Sequence, residues 1–263
     1  MVEWDRKQGF DLSGKKALLV GTGNPLGRAV GLALAEAGAD VAIASATLDG
    51  DEVMEAKRIS KEIANLGRAT FSQGWDVTLP TNVQVGLKQL NKEFGQPTIL
   101  VYNADAPLAK AIEKTSDSEF AHVQQVNLNG AFYSARSFLK EYPAECGPGR
   151  LIFLTSIFGE RGVESMAAYT AAKAGVHGLS AALSQELGER GITSNCISTG
   201  WMDWTPGRGP EEMGANRLLR FIPMRRFGHA DEAAALAVLL ASDASGYLNG
   251  QVFHIDGGVS QHL

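Results

Sequence analysis

One stretch near the N-terminus constrains the fold more than any other. Lys16-Ala-Leu-Leu-Val20 is a short apolar run, Gly21-Thr-Gly-Asn-Pro-Leu-Gly27 follows it, and a helical pattern runs from about Pro25 to Ala37 before Gly38. The apolar run reads as a buried strand. Proline is acceptable at a first helical position, and glycine is the usual residue just past a helix end. Strand, glycine turn and helix N-terminus together form a place where backbone N–H groups can meet a pyrophosphate. The same alternation continues to the C-terminus. Further strands are predicted over 41–45, 68–75, 98–102, 150–155, 193–198 and 251–258. Further helices are predicted over 50–66, from Pro80 to about Phe94, 117–142, 167–187 running on toward Gly191, and 230–241. Strands that alternate with helices predict an α/β fold: a doubly wound, mostly parallel sheet of about seven strands, with helices on both faces.

The length of 263 residues suits one large domain over residues 1–263, with a polar lead-in at 1–13. Residues 201–222 carry Trp201, Met202, Trp204, Met213 and Leu218 among glycine and proline, the pattern of an apolar lid. Net charge is -5 and no basic cluster appears, which argues against nucleic acid or an anionic membrane as partner. No run approaches the roughly 18 apolar residues of a membrane span, and the first residues, Met-Val-Glu-Trp-Asp-Arg, lack a signal-peptide core. Cys146 and Cys196 sit in a loop and a predicted strand. Two free thiols fit a reducing cytoplasm. No His/Cys/Asp/Glu constellation has metal-ligand spacing.

The chemistry gathers in Ser156-Ile-Phe-Gly-Glu-Arg-Gly-Val-Glu-Ser-Met-Ala-Ala-Tyr169-Thr-Ala-Ala-Lys173. Tyr169 and Lys173 are four apart on a predicted helix and share a face. An ammonium one turn from a phenol is expected to lower the phenol pKa from its ordinary value of about 10. Ser156, at the end of a predicted strand, would hydrogen-bond the substrate oxygen that the phenol protonates. Carbonyl and alcohol redox chemistry needs such a proton shuttle beside a hydride carrier.

These residues resemble the short-chain dehydrogenase/reductase family, with its Ser, its Tyr-x-x-x-Lys and an upstream Asn, here Asn127 in Gln-Val-Asn-Leu-Asn-Gly. The resemblance covers roughly residues 12 to 258. It implies a nicotinamide cofactor, NAD or NADP, and a small-molecule carbonyl or alcohol substrate. It also implies a homotetramer or homodimer packed through the long helices. Tyr169 would be the acid/base. Lys173 would lower its pKa and hold the nicotinamide ribose, and Asn127 would support a proton relay. Gly21, Gly23, Asn24, Leu26 and Gly27 are expected at the pyrophosphate. Asp76 and Val77 are expected at the adenine, and Asn103 and Ala104 beside the cofactor. Gly200 and Thr205 are expected near the nicotinamide.

The chain departs from the family pattern at Val20, Pro25, Tyr102, Asp105, Thr199 and Trp204. Pro25 removes an N–H donor from the loop. Asp105 stands where the family has glycine, and either contacts a ribose hydroxyl, reshapes the substrate mouth or is solvated. Asp76 is alternatively a cap for the helix at Pro80. Ser45 replaces the acidic residue with which NAD-preferring members often end their second strand. With Thr47 it leans the expectation toward NADP, against the negative charge of Asp49, Asp51 and Glu52 nearby. The alternative is a non-redox, dehalogenase-like enzyme on this scaffold, or a catalytically silent one.

Overall fold

The computed structural model describes residues 9–205 and 218–261. The first part of the lead-in and the middle of the expected lid, with Met213, lie outside the described residues.

Seven strands form one sheet: β1 (Lys16–Val20), β2 (Asp40–Ala44), β3 (Thr70–Gln73), β4 (Ile99–Tyr102), β5 (Arg150–Ser156), β6 (Thr193–Thr199) and β7 (Val252–Ile255). Their order is β3-β2-β1-β4-β5-β6-β7, and every neighbouring pair is parallel. The helices are α1 (Pro25–Glu36), α2 (Gly50–Asn65), α3 (Pro80–Glu93), α4 (Asp117–Gln124), α5 (Gly130–Lys140), α6 (Ala167–Leu187) and α7 (Ala230–Ala241). The strand order reverses between β1 and β4, which opens a crevice at the carboxyl ends of those strands.

Strand alternation sorts the core into two layers. Leu18, Val20, Leu100, Tyr102, Leu151 and Phe153 face α3, α5 and α6. Ala17, Leu19, Ile99, Val101, Ile152 and Leu154 face α1, α2 and α7. Burying each Leu, Ile, Val or Phe side chain contributes about 1.5–3 kcal/mol. A one-residue slip would carry each set to the opposite layer, so the register is tightly specified.

Local signals set the helix ends near the crevice. Asn24 caps α1, accepting from the N–H groups of Leu26 at 3.1 Å and Gly27 at 3.3 Å. Pro25 takes the first helical position, where its missing N–H costs nothing. Gly38 turns the chain after α1 at a φ of +107°, open to glycine and costly for other residues.

The helix expected over 117–142 runs from Asp117 to Lys140 with one wide turn inside it. A π-turn over Gln125–Asn129 separates α4 from α5. Two buried polar side chains take up carbonyls at this turn. The Tyr102 hydroxyl donates to the Val126 carbonyl at 2.5 Å, and Asn127 Nδ2 donates to the Val123 carbonyl at 2.9 Å. A side chain inserted into the helical ladder is a recognised cause of such irregularities. β3 is shorter than expected because the chain leaves the ladder after Gln73: the Trp75 N–H donates to Ser45 Oγ and the Val77 N–H to the Ala46 carbonyl. β7 is shorter because Gly257 and Gly258 turn the chain at positive φ.

Candidate active site

α6 carries Tyr169 and Lys173 one turn apart, 6% and 3% exposed. The end of β5 carries buried Ser156, whose Oγ accepts from the Phe158 N–H at 3.3 Å in the short turn that follows. Ser156 and Tyr169 line a cavity of about 350 Å³. Gly23, Asn24 and Pro25 border it on the glycine-loop side, and Gly200 and Thr205 on the side that follows β6. Phe158, Met166, Trp201 and Trp204 add apolar walls. Phe158 stands edge-on to both Tyr169 and Trp201.

Asp105 changes the electrostatics of this pair. The Tyr169 hydroxyl donates to Asp105 Oδ1 at 2.8 Å, and Lys173 Nζ lies 2.9 Å from the same oxygen. The sequence-based expectation of a lowered phenol pKa is therefore corrected. Burial pushes the Tyr169 phenol well above its ordinary range, and the Asp105 charge and hydrogen bond push it further. The ammonium is spent on Asp105, so it does not offset these effects. Asp105 is neither merely solvated nor only at the mouth.

Asn127 supports this arrangement from behind. Its Nδ2 donates to the Ala106 carbonyl at 3.0 Å and its Oδ1 accepts from the Ala106 N–H at 3.3 Å. The side chain thus clamps the loop that presents Asp105. Asn103 and Ala104 sit at the root of that loop. Asn103 Nδ2 donates to the Gly21 carbonyl and to Asn24 Oδ1. Ala104 is the wall against which Gly21 packs, with no room for a side chain between them.

The glycine loop packs closely on itself and on Asn103. A Cβ on Gly27 would fall 2.7 Å from the Gly21 carbonyl oxygen and 2.9 Å from Asn103 Nδ2. A Cβ on Gly23 would stand in ordinary contact with Glu52, 3.8 Å away. The loop's donors are partly engaged: Leu26 and Gly27 give their N–H groups to Asn24, and Thr22 gives its N–H to Glu52 Oε1 at 3.0 Å. The residues fit a dinucleotide along the cavity, with Asn24 and Glu52 sharing the donors.

Other expected residues fall less centrally. Ser45 is fully buried, and its hydroxyl donates to the Thr47 carbonyl at 2.6 Å and accepts from Trp75. Asp76 holds the N–H and hydroxyl of Thr78. It does not cap α3, whose N-cap is Leu79. Val77 is buried in the core below α5, and neither Asp76 nor Val77 lines the cavity. Thr205 closes a turn on Met202, its Oγ1 accepting from the Met202 N–H at 3.2 Å. Gly200 leaves no room for a side chain beside Asp256.

Two residues gain weight only in three dimensions. Tyr102, a departure from the family pattern, ties β4 to the π-turn that carries Asn127. Glu52, visible in the sequence only as one of three nearby acids, sits at the third position of α2. A glutamate there ordinarily folds back onto its own helix cap. Its position three residues after Asp49 was the available signal, but the partners it takes were not readable.

No helix among the described residues is long and apolar enough to cross a membrane. The profile of the family described as Enoyl-(Acyl carrier protein) reductase matches residues 21–260. The chain is 32% identical over 250 residues to the 3-oxoacyl-(acyl-carrier-protein) reductase of Pseudomonas aeruginosa, covering 95% of this chain and 99% of that one. It is 33% identical over 251 residues to the 2-dehydro-3-deoxy-D-gluconate 5-dehydrogenase of Pseudoalteromonas atlantica, covering 95% and 97%. Its fold is similar to a gluconate 5-dehydrogenase from Burkholderia cenocepacia J2315, solved in complex with NADP and tartrate, at a TM-score of 0.90 and 26% identity, covering 97% and 99%. With these matches along nearly its whole length, the chain belongs to the short-chain dehydrogenase/reductase family and is an NAD(P)-dependent enzyme of that family.

Proposed function

We propose that the protein, as one domain over residues 1–263, interconverts a ketone and a secondary alcohol, with Tyr169 as the proton donor and acceptor. The observation that carries this reading is the shared cavity: Ser156 and Tyr169 line the same space that reaches the glycine loop at Gly23 and Asn24. A bound nicotinamide supplies or takes the hydride. Ser156 orients the substrate oxygen through its hydroxyl. In the reducing direction, Tyr169 gives its phenolic proton to that oxygen, and in the oxidising direction it takes the proton back. Lys173, paired with Asp105, flanks the phenolate that remains. Asp105 holds the phenol and the ammonium together before substrate arrives. The apolar walls exclude water, and they favour a carbonyl carried on an apolar chain over a keto sugar acid. The two relatives described above are, by name, a 3-oxoacyl-(acyl-carrier-protein) reductase and a 2-dehydro-3-deoxy-D-gluconate 5-dehydrogenase.

We further propose a homo-oligomer, a tetramer or dimer. An apolar groove of Phe132, Ala135, Leu139, Leu179 and Leu183 on α5 and α6 offers the contact, and light scattering reads the mass. Free Cys146 and Cys196 support a reducing cytoplasm as the setting.

The test is reduction of 3-oxoacyl thioesters and keto sugar acids by NADH and NADPH, comparing wild type with Tyr169→Phe. The substitution should lower kcat by about 10²–10⁴-fold while reduced cofactor still binds. Full turnover by Tyr169→Phe would overturn the assignment.

A further inference from the structure

Glu52 occupies an anion site built by the chain itself. Its Oε1 accepts from the N–H groups of Thr22 at 3.0 Å and Ala46 at 2.9 Å. Its Oε2 accepts from the Thr47 N–H at 3.0 Å and the Thr47 hydroxyl at 2.7 Å. The Thr22 hydroxyl also donates to the Glu52 carbonyl. The three N–H groups come from the carboxyl ends of β1 and β2, and the carboxylate comes from α2. Four donors on two oxygens match the full acceptor capacity of a carboxylate. They are also what a phosphate in this place would use. Glu52 borders both the cavity that holds Ser156 and Tyr169 and an adjoining cleft of about 830 Å³.

The surroundings repel a second anion. Asp49, Asp51, Glu55, Asp203 and Asp231 line the cleft with Glu52. Its two arginines are already paired, Arg28 with Glu62 and Arg58 with Glu55. Ser45 and Thr47, from which the sequence leaned toward NADP, have their hydroxyls committed to the Thr47 carbonyl and to Glu52.

We propose that Glu52 selects the cofactor, holding the place of a ribose 2′-phosphate and reserving the site for the free ribose of NAD(H). A ribose hydroxyl can replace the single Thr47 hydroxyl on Oε2, one hydroxyl for another. A 2′-phosphate must displace the carboxylate from all four donors, or bind beside its charge. In open parallel sheets the carboxylate that meets the ribose usually follows the second strand directly. In this chain Ser45 stands there, and the carboxylate arrives from the first turn of α2.

The inference rests on the redox reading above, and direct binding separates the two. Wild type, Glu52→Gln and Glu52→Ala are titrated with NADH and with NADPH, following nicotinamide and tryptophan fluorescence. Wild type should bind NADH at least about tenfold tighter than NADPH, and both variants should shrink that ratio by at least about tenfold, by tightening NADPH. A variant damaged in folding would lose both cofactors together and leave the wild-type ratio as the deciding value. A wild type that binds NADPH as tightly as NADH or tighter, or a ratio unmoved in folded variants, overturns the role of Glu52 and leaves the redox reading standing. A wild type that binds neither cofactor overturns the redox reading and this role with it.

Discussion

The Asp105 carboxylate accepts a 2.8 Å hydrogen bond from the Tyr169 hydroxyl, and the same oxygen lies 2.9 Å from Lys173 Nζ. One carboxylate therefore sits between the Tyr169 phenol and the Lys173 ammonium. Burial and this carboxylate keep the phenol protonated to high pH. The folded-state pKa lies above the unfolded value. The stabilisation from Tyr169 is therefore complete below about pH 10 and is lost only as pH climbs toward the folded-state value.

Replacing Asp105 with Asn or Gly should lower the Tyr169 pKa by at least about one unit. Ultraviolet difference titration, with Tyr169→Phe as the subtraction, reads the shift. The alkaline limb of the pH–rate profile should move to lower pH with it. A phenol titration identical to wild type would show that the carboxylate does not govern the pair.

Asn127→Ala should loosen the loop that presents Asp105. It removes the two contacts to Ala106 and leaves Ala106 groups without their partner, at a cost of about 1–3 kcal/mol. Displacement of the loop should lower kcat by about 10- to 100-fold. Urea unfolding and single-turnover rates measure the two effects separately. Unchanged stability would remove the clamp from the account.

Gly27→Ala tests the glycine loop. The new methyl meets the Gly21 carbonyl and Asn103, and neither is the end of a flexible side chain free to swing away. Overpacking should cost about 1–3 kcal/mol. Affinity for reduced cofactor should fall by at least about tenfold, since the Gly21–Gly27 loop and the Asn103 tie move together. Equilibrium binding that matches wild type would place the dinucleotide elsewhere.

Tyr102→Phe should leave the Val126 carbonyl unpaired inside the π-turn. Burial already holds the Tyr102 phenol well above its ordinary pKa, so the hydroxyl serves as a neutral donor. Its loss should cost about 1–3 kcal/mol, which lowers the melting temperature by about 2–4 °C for each kcal/mol in a chain of this size. Calorimetry decides it, and an unchanged melting temperature would mean that water replaces the hydroxyl.

The sheet was legible because its signals are local. Apolar runs such as Lys16–Val20, closed by glycine and followed by an amphipathic helix, set strand and helix within a few residues of chain. The shared face of Tyr169 and Lys173 was legible for a similar reason: a helix puts positions four apart on one face whatever surrounds it. The wide turn at Gln125–Asn129 was not legible, since it depends on Tyr102 reaching Val126 across 24 positions.

The sequence by itself determined the alternation, the parallel sheet and the shared helix face of Tyr169 and Lys173, all of which follow from short-range periodicity and backbone preference. Only the tertiary structure decided what the charges do. Asp105 is 64 positions from Tyr169, and Glu52 is 30 from Thr22. Each becomes a neighbour because the strand order brings separate loops to one carboxyl edge. A charge acts over a few ångströms of space, so its effect on a phenol or a phosphate site depends on that edge and not on the spacing along the chain.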